Sequence, residues 1–207
     1  MTRTTTERPN KIEPARSNAA LRVHAIWPNS RANGPGRRFV IWVQGCSLGC
    51  PGCFNPETHA FNDGTLIPIP ELFAQIEACG DSIEGITVSG GEPFQQIEGV
   101  AELLRAVKAH TDLSVIVFTG FDQDEAASQT DWPKELWPGL IDVLISGRYD
   151  ASNRLARGLQ GSSNKRIQFL TDRYRASDLV QVPEAEILIG EDGAMIGSGI
   201  DPVRFAR

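Results

Sequence analysis

Cys46, Cys50 and Cys53 stand in GCSLGCPGCFNPETH with the spacing C-x3-C-x2-C, and TVSGGEPF (Thr87 to Phe94) follows later behind an apolar run. Three thiolates on one short loop can hold three corners of a cubane iron–sulfur cluster and leave the fourth iron without a protein ligand. Catalytic metal sites keep such a position for substrate, whereas structural sites fill it with protein. Gly45, Gly49 and Gly52 relieve the steric limits on wrapping the loop, and Pro51 stiffens its return. The same donors also suit zinc, with His59 or Cys79 as fourth ligand, or an electron-carrying cluster closed by a fourth cysteine.

The second motif, Ser89-Gly90-Gly91-Glu92-Pro93, ends a strand pattern. Its glycines can bring backbone close to a ligand, and Glu92 can meet a positive amino group. Alone it is a strand-to-loop turn; with the cysteines it becomes half of a site.

These motifs need a scaffold. RFVIWVQ (Arg38 to Gln44) predicts a strand that delivers the chain to Gly45 and the first cysteine. Pro70, Leu72, Phe73 and Ile76 predict a helix with proline in its first turn and Gly80 as its stop. Gly85 to Val88 is a second strand running into the glycines. Val100, Leu103, Leu104 and Val107 recur at i, i+3, i+4 and i+7, an amphipathic helix, and Leu113 to Phe118 is a strand closing at Thr119 and Gly120. Val143 to Ile145 and Ile167 to Leu170 predict further strands, and residues 185–189 and 194–200 a terminal hairpin. Alternating strands and helices imply parallel strands joined by right-handed crossovers, with ligands at the strands' carboxyl ends. Both motifs fall there.

The chain has 207 residues, 41% of them apolar and 22% charged, with a net charge of −6. That composition predicts one soluble globular domain and gives no bulk-charge signal for nucleic acid. No apolar run reaches the roughly 20 residues needed to span a bilayer, and the N-terminus lacks a secretory h-region. Clustered cysteines with one outlier fit a reducing compartment better than a disulfide framework, so the expected location is the cytoplasm. Residues 1–20, polar and Thr-rich, are expected to form a disordered tail, and residues 21–207 the domain.

The cysteine block and the Gly-Gly-Glu element resemble the radical S-adenosylmethionine superfamily. GPGRRFVIWVQGCSLGCPGCFNPETH (Gly34 to His59), SGRYD (Ser146 to Asp150) and GLQGSSNKRIQFL (Gly158 to Leu170) are similar to its group of glycyl-radical-enzyme activating enzymes. The resemblance implies a partial parallel (β/α) barrel, an α/β fold. It implies a [4Fe-4S] cluster on Cys46, Cys50 and Cys53 whose open iron chelates S-adenosyl-L-methionine, reductively cleaved to methionine and a 5′-deoxyadenosyl radical. Gly90, Gly91 and Glu92 would bind the ligand's amino end, and Gly52 and Phe54 would lie near its adenine, Phe54 alternatively packing under the cluster loop. Thr119 and Gly120, by their place at a strand end, are either a strand-end turn or a contact to the ligand's ribose or carboxylate. No protein side chain is assigned as catalytic, because the radical chemistry belongs to the cofactor. The implied partners are a glycyl-radical enzyme, an anaerobic ribonucleotide reductase, and a flavodoxin- or ferredoxin-type electron donor. Other readings are a radical enzyme acting on a different peptide or nucleoside, and a non-catalytic zinc or iron–sulfur binding module.

The remaining features carry less. Cys79 falls on the apolar face of its helix, as a small buried hydrophobe would. Arg148, Arg154, Arg157, Lys165, Arg166, Arg173 and Arg175 form a basic stretch that is a solvated face or a docking surface. Trp132 and Trp137, each followed by proline, suit a partner surface or packing against the body.

Overall fold

The computed structural model describes residues 19–128, 139–190, 193 and 195–201. The expectations for residues 1–18, for Trp132 and Trp137 and for Ala194 lie outside them. Ala19 and Ala20 belong to the folded body rather than to a tail: Ile69 N donates to Ala19 O at 3.0 Å, and Ala20 opens the first strand.

Four strands, β2 (Arg38–Val43), β4 (Gly85–Gly90), β5 (Ser114–Phe118) and β6 (Val143–Ser146), lie side by side and parallel. Their β-branched runs suit strands covered on both faces. Crossovers carry α1 (Ile69–Ala78), with proline in its first turn, and α2 (Ile97–His110). Three antiparallel strands extend this unit: β1 (Ala20–Ser30), β3 (Thr65–Pro68) and β9 (Arg166–Phe169). The order is β3-β1-β2-β4-β5-β6-β9, an open sheet in which β3 and β9 are the edges.

Two expectations are corrected here. The strands begin at Ala20, not Arg38; His24, Pro28 and Asn29 interrupt the apolar pattern of β1, and pairing with β2 and β3 overrides their weak propensity. The segment expected as a fifth parallel strand, β9, runs antiparallel to β6. Between them lies the small hairpin β7 (Arg154–Arg157) and β8 (Gln160–Ser162) instead of a crossover helix, so the chain returns antiparallel.

Successive side chains of β5 show how the sheet serves two cores. Val115 and Val117 pack with Leu72, Leu104 and Ile86 against the helical layer, while Ile116 points to the opposite face with Val143, Ile145, Leu159 and Leu179. Each such buried aliphatic contributes about 1.5–3 kcal/mol. The opposite face is only partly filled, by α4 (Ala176–Val180) and by the terminal hairpin β10 (Ala185–Ile189) and β11 (Met195–Gly199). The other short helix, α3 (Gln123–Ser128), follows β5. Among the described residues no helix is long and apolar enough to cross a membrane.

One end of the sheet is closed by Arg38, which is fully buried. Its guanidinium donates to Thr87 Oγ1 at 2.7 Å, Ser114 Oγ at 3.0 Å and the carbonyls of Pro35, Ile86 and Ser114. The opposite end, where β2, β4 and β5 finish, is left to loops.

Candidate active site

β2 hands the chain to Gln44, whose side chain fixes the cysteine loop at its root. Gln44 Nε2 donates to Glu57 O at 3.1 Å and Ala60 O at 2.8 Å, and its Oε1 pairs with His24 Nδ1 at 2.9 Å. Backbone bonds from Gly45 N to Thr58 O (2.8 Å) and from Cys46 N to His59 O (3.1 Å) draw the returning segment alongside. Gly45, Gly49 and Gly52 all have positive φ, +102°, +61° and +72°, so the loop carrying the three thiols turns where only glycine turns without strain.

The Ser-Gly-Gly-Glu rim is locked to that root. A Cβ on Gly90 would stand 2.5 Å from Val43 N, and one on Gly91 2.4 Å from Gly45 O. Gly90 therefore sits close on β2, and Gly91 on the root of the cysteine loop. Gly91 N donates to Val43 O and Glu92 N to Gly45 O, at 2.8 and 2.9 Å. Glu92 is buried, and its carboxylate accepts from Phe94 N (2.9 Å), Thr119 Oγ1 (2.7 Å) and Gly120 N (2.7 Å). It clasps the ends of β4 and β5 together. A carboxylate offers about four acceptor positions, so three donors leave one for a ligand.

Cys46, Cys50, Cys53, Phe54, Gly90, Gly91, Glu92 and Thr119 all line one cavity of about 430 Å³ on the sheet face away from α1 and α2. That volume is within the range of small-molecule sites. Gly52 does not reach it; its peptide lies on the exposed side of the loop. Phe54 does, but its ring is already engaged: Tyr149 lies 4.4 Å away centroid to centroid, the Arg154 guanidinium 5.1 Å over it, and a Cβ on Gly161 would strike it. Cys79 lies instead at the end of α1, packed against the helical core, with Sγ 3.5 Å from Gln75 O. His59 lines the cavity, and its buried Nε2 has no hydrogen-bond partner among the described residues.

The family model for the 4Fe-4S single cluster domain matches residues 32–168. The anaerobic ribonucleoside-triphosphate reductase-activating protein of Enterobacteria phage T4 is 31% identical over 153 residues, covering 71% of this chain and 93% of that protein. Its counterpart from Salmonella typhi is 30% identical over 158 residues, covering 72% and 99%. The chain belongs to the 4Fe-4S single-cluster family. The pyruvate formate-lyase-activating enzyme of Listeria monocytogenes is 36% identical over 99 residues, 44% of this chain and 40% of that one. These likenesses place the 4Fe-4S protein among the radical S-adenosylmethionine activating enzymes, and its cofactors are a [4Fe-4S] cluster and S-adenosyl-L-methionine.

The residues present in this 4Fe-4S family member fit that pair. Among the described residues no three His, Cys, Asp or Glu side chains are gathered on one point. A cube needs no such convergence, because each cysteine takes a different iron. Burial pushes the Cys46 and Cys53 thiols up, opposed by backbone N–H groups near Leu48 and Asn55, so loading a metal must displace protons. Burial also raises Glu92, against the pull of its three donors and of Lys165. An arriving ammonium would favour the ionised form.

Sequence reasoning missed Gln44, Tyr149 and the place of Lys165. Lys165 counted only as one charge in a basic stretch, yet it is the one Lys or Arg among the described residues lining the cavity, with Nζ 2.5 Å from Gly147 O. Burial lowers it, while Cys50, Glu92 and Cys53 hold it up. Nothing periodic marks it; the turn that follows β8 puts it there. Gln44 had one signal, its position between the strand and the first cysteine.

Proposed function

We propose that this protein cleaves S-adenosyl-L-methionine reductively and places a glycyl radical on a partner enzyme, an anaerobic ribonucleotide reductase. The observation that carries the reading is that three half-buried thiols and the Glu92 rim open into a single cavity, with the fourth cysteine of the chain packed on the helical layer. When bound, the cluster supplies the electron that splits the sulfonium into methionine and a 5′-deoxyadenosyl radical, which takes a hydrogen atom from a glycine Cα.

Cys46, Cys50 and Cys53 would each hold one iron. Glu92, through its remaining acceptor position, would receive the ligand's amino group, and Thr119 holds the carboxylate in the orientation this requires. Lys165 supplies positive charge beside the thiolates and a donor for the ligand's carboxylate. Gly90 and Gly91 keep the rim seated on the cysteine loop, and Phe54 closes the wall toward Tyr149. The electron comes from a flavodoxin- or ferredoxin-type donor in the cytoplasm, which keeps the thiols reduced.

Anaerobically reconstituted protein, reduced and given S-adenosylmethionine, should form 5′-deoxyadenosine. With the reductase present it should also give a glycine-centred paramagnetic signal that narrows when the glycine is deuterated. Protein loaded with about four irons per chain that yields no 5′-deoxyadenosine would overturn the reading.

A further inference from the structure

Two strand edges border the cavity, and among the described residues each is left unpaired on one side. β3 pairs with β1 only through Ala20 to Val23, so among the described residues no strand covers the outer edge of β1 from His24 to Trp27. Among the described residues β11 pairs only with β10. The cavity is lined by the unbroken run His24, Ala25, Ile26, Trp27 and also by Ile196 through Ile200. Past an irregularity between Val23 and Ala25, Ile26 packs on the helical core yet also lines the cavity beside Ala25 and Trp27, so the cavity reaches the edge of β1. An open edge presents a row of backbone N–H and C=O groups ready to pair with another chain.

We propose that this flank of the cavity is a slot for one extended peptide: the glycine-bearing segment of the partner enzyme adds as a strand between the edges of β1 and β11. The inference rests on the activating function proposed above and names how the substrate is held. Gly199 lets β11 close tightly on the start of β10, where a Cβ would stand 2.5 Å from Glu184 O. The hairpin is fixed in place for the task. Glu186 accepts from Ser30 Oγ and, at 2.8 Å, from Arg31 N, and Asn33 Nδ2 donates to Ser198 Oγ at 2.7 Å in a buried contact. These anchors join β10 and β11 to the end of β1, and residues of both strands line the one cavity. The slot opens into the same cavity as the thiols and Glu92, and four residues of strand span about 13 Å along it. Main-chain pairing supplies affinity without regard to side chains, which suits a segment whose reacting residue has none. Trp27 and Ile196 supply apolar walls. The hairpin lies beyond the stretch matched by the family model, residues 32–168.

The test uses cluster-loaded full-length protein with S-adenosylmethionine and a synthetic peptide spanning the radical glycine of the cognate reductase. Peptide addition should slow amide hydrogen exchange in both His24–Trp27 and residues 196–200. N-methylation of the peptide at alternate residues should weaken binding by about tenfold, as loss of two main-chain bonds would. Methylation at the interleaved residues should change it less than about twofold. Binding without slowed exchange at both edges, or equal binding of all methylated peptides, would overturn the slot, as would failure to bind at all. In each of those cases the whole reductase is assayed separately. A glycine-centred signal there leaves the activating function standing, while 5′-deoxyadenosine without that signal removes it too.

Discussion

A methyl group at position 91 would have to share space with Gly45 O, which lies 2.4 Å from where that carbon would sit. The rim or the cysteine loop must then move. Gly91→Ala is expected to destabilise the protein by about 1–3 kcal/mol and to lower the iron retained per chain, measured by urea unfolding and metal analysis. Gly49→Ala is the control, because nothing lies within 4 Å of its missing side chain and only its φ of +61° is penalised. It should cost about 1 kcal/mol and keep its iron. At this scale the cysteines were legible in the sequence because ligands for one cluster must share one loop. The donors to Glu92 were not, because Thr119 and Gly120 arrive from another strand and no local pattern announces them.

Among the elements, the junction before β6 carries a concentrated load on Asp142. Its carboxylate accepts from Lys108 at the end of α2 (2.6 Å), from Val115 N of β5 (2.7 Å) and from Thr171 beyond β9 (2.8 Å). Burial pushes this carboxyl up, but the Lys108, Val115 and Thr171 bonds outweigh it and hold it below its ordinary 3.8. A depressed folded value means stability that is present above about pH 4 and lost as pH falls through the folded pKa. Asp142→Asn should lose about 2–3 kcal/mol at pH 7 and flatten the fall in stability below pH 4, read from denaturant midpoints at both pH values. β2 and β5, marked by continuous apolar runs, and α2, marked by helical periodicity, were readable in advance. β3, β7 and β8, of three or four residues, are too short to show a period, and β1 is held by its neighbours rather than by its composition.

For the molecule as a whole, the sheet separates two thiol populations, the trio facing the cavity and Cys79 in the helical layer. Cys79→Ser should leave iron and sulfide per chain unchanged, whereas serine at 46, 50 or 53 should abolish the cube, as metal analysis and colour would report. An iron content that falls with Cys79 would mean that a fourth thiolate closes the cluster. The α/β class and the siting of both motifs at strand ends followed from alternation alone. The antiparallel flanks did not, because strand direction depends on how the chain returns, and a connection of hairpins looks in sequence much like one of irregular loops.

Arg38 has a broader consequence. A cation sealed inside the protein and satisfied by neutral oxygens cannot shed any of them cheaply, so Thr87, Ser114 and the chain around Pro35 are tied to it as one unit. Such a keel lets the far rim tolerate experiment. Insertions or exchanged loops at the open end leave these bonds untouched, which makes this chain a practical chassis for engineering new radical targets.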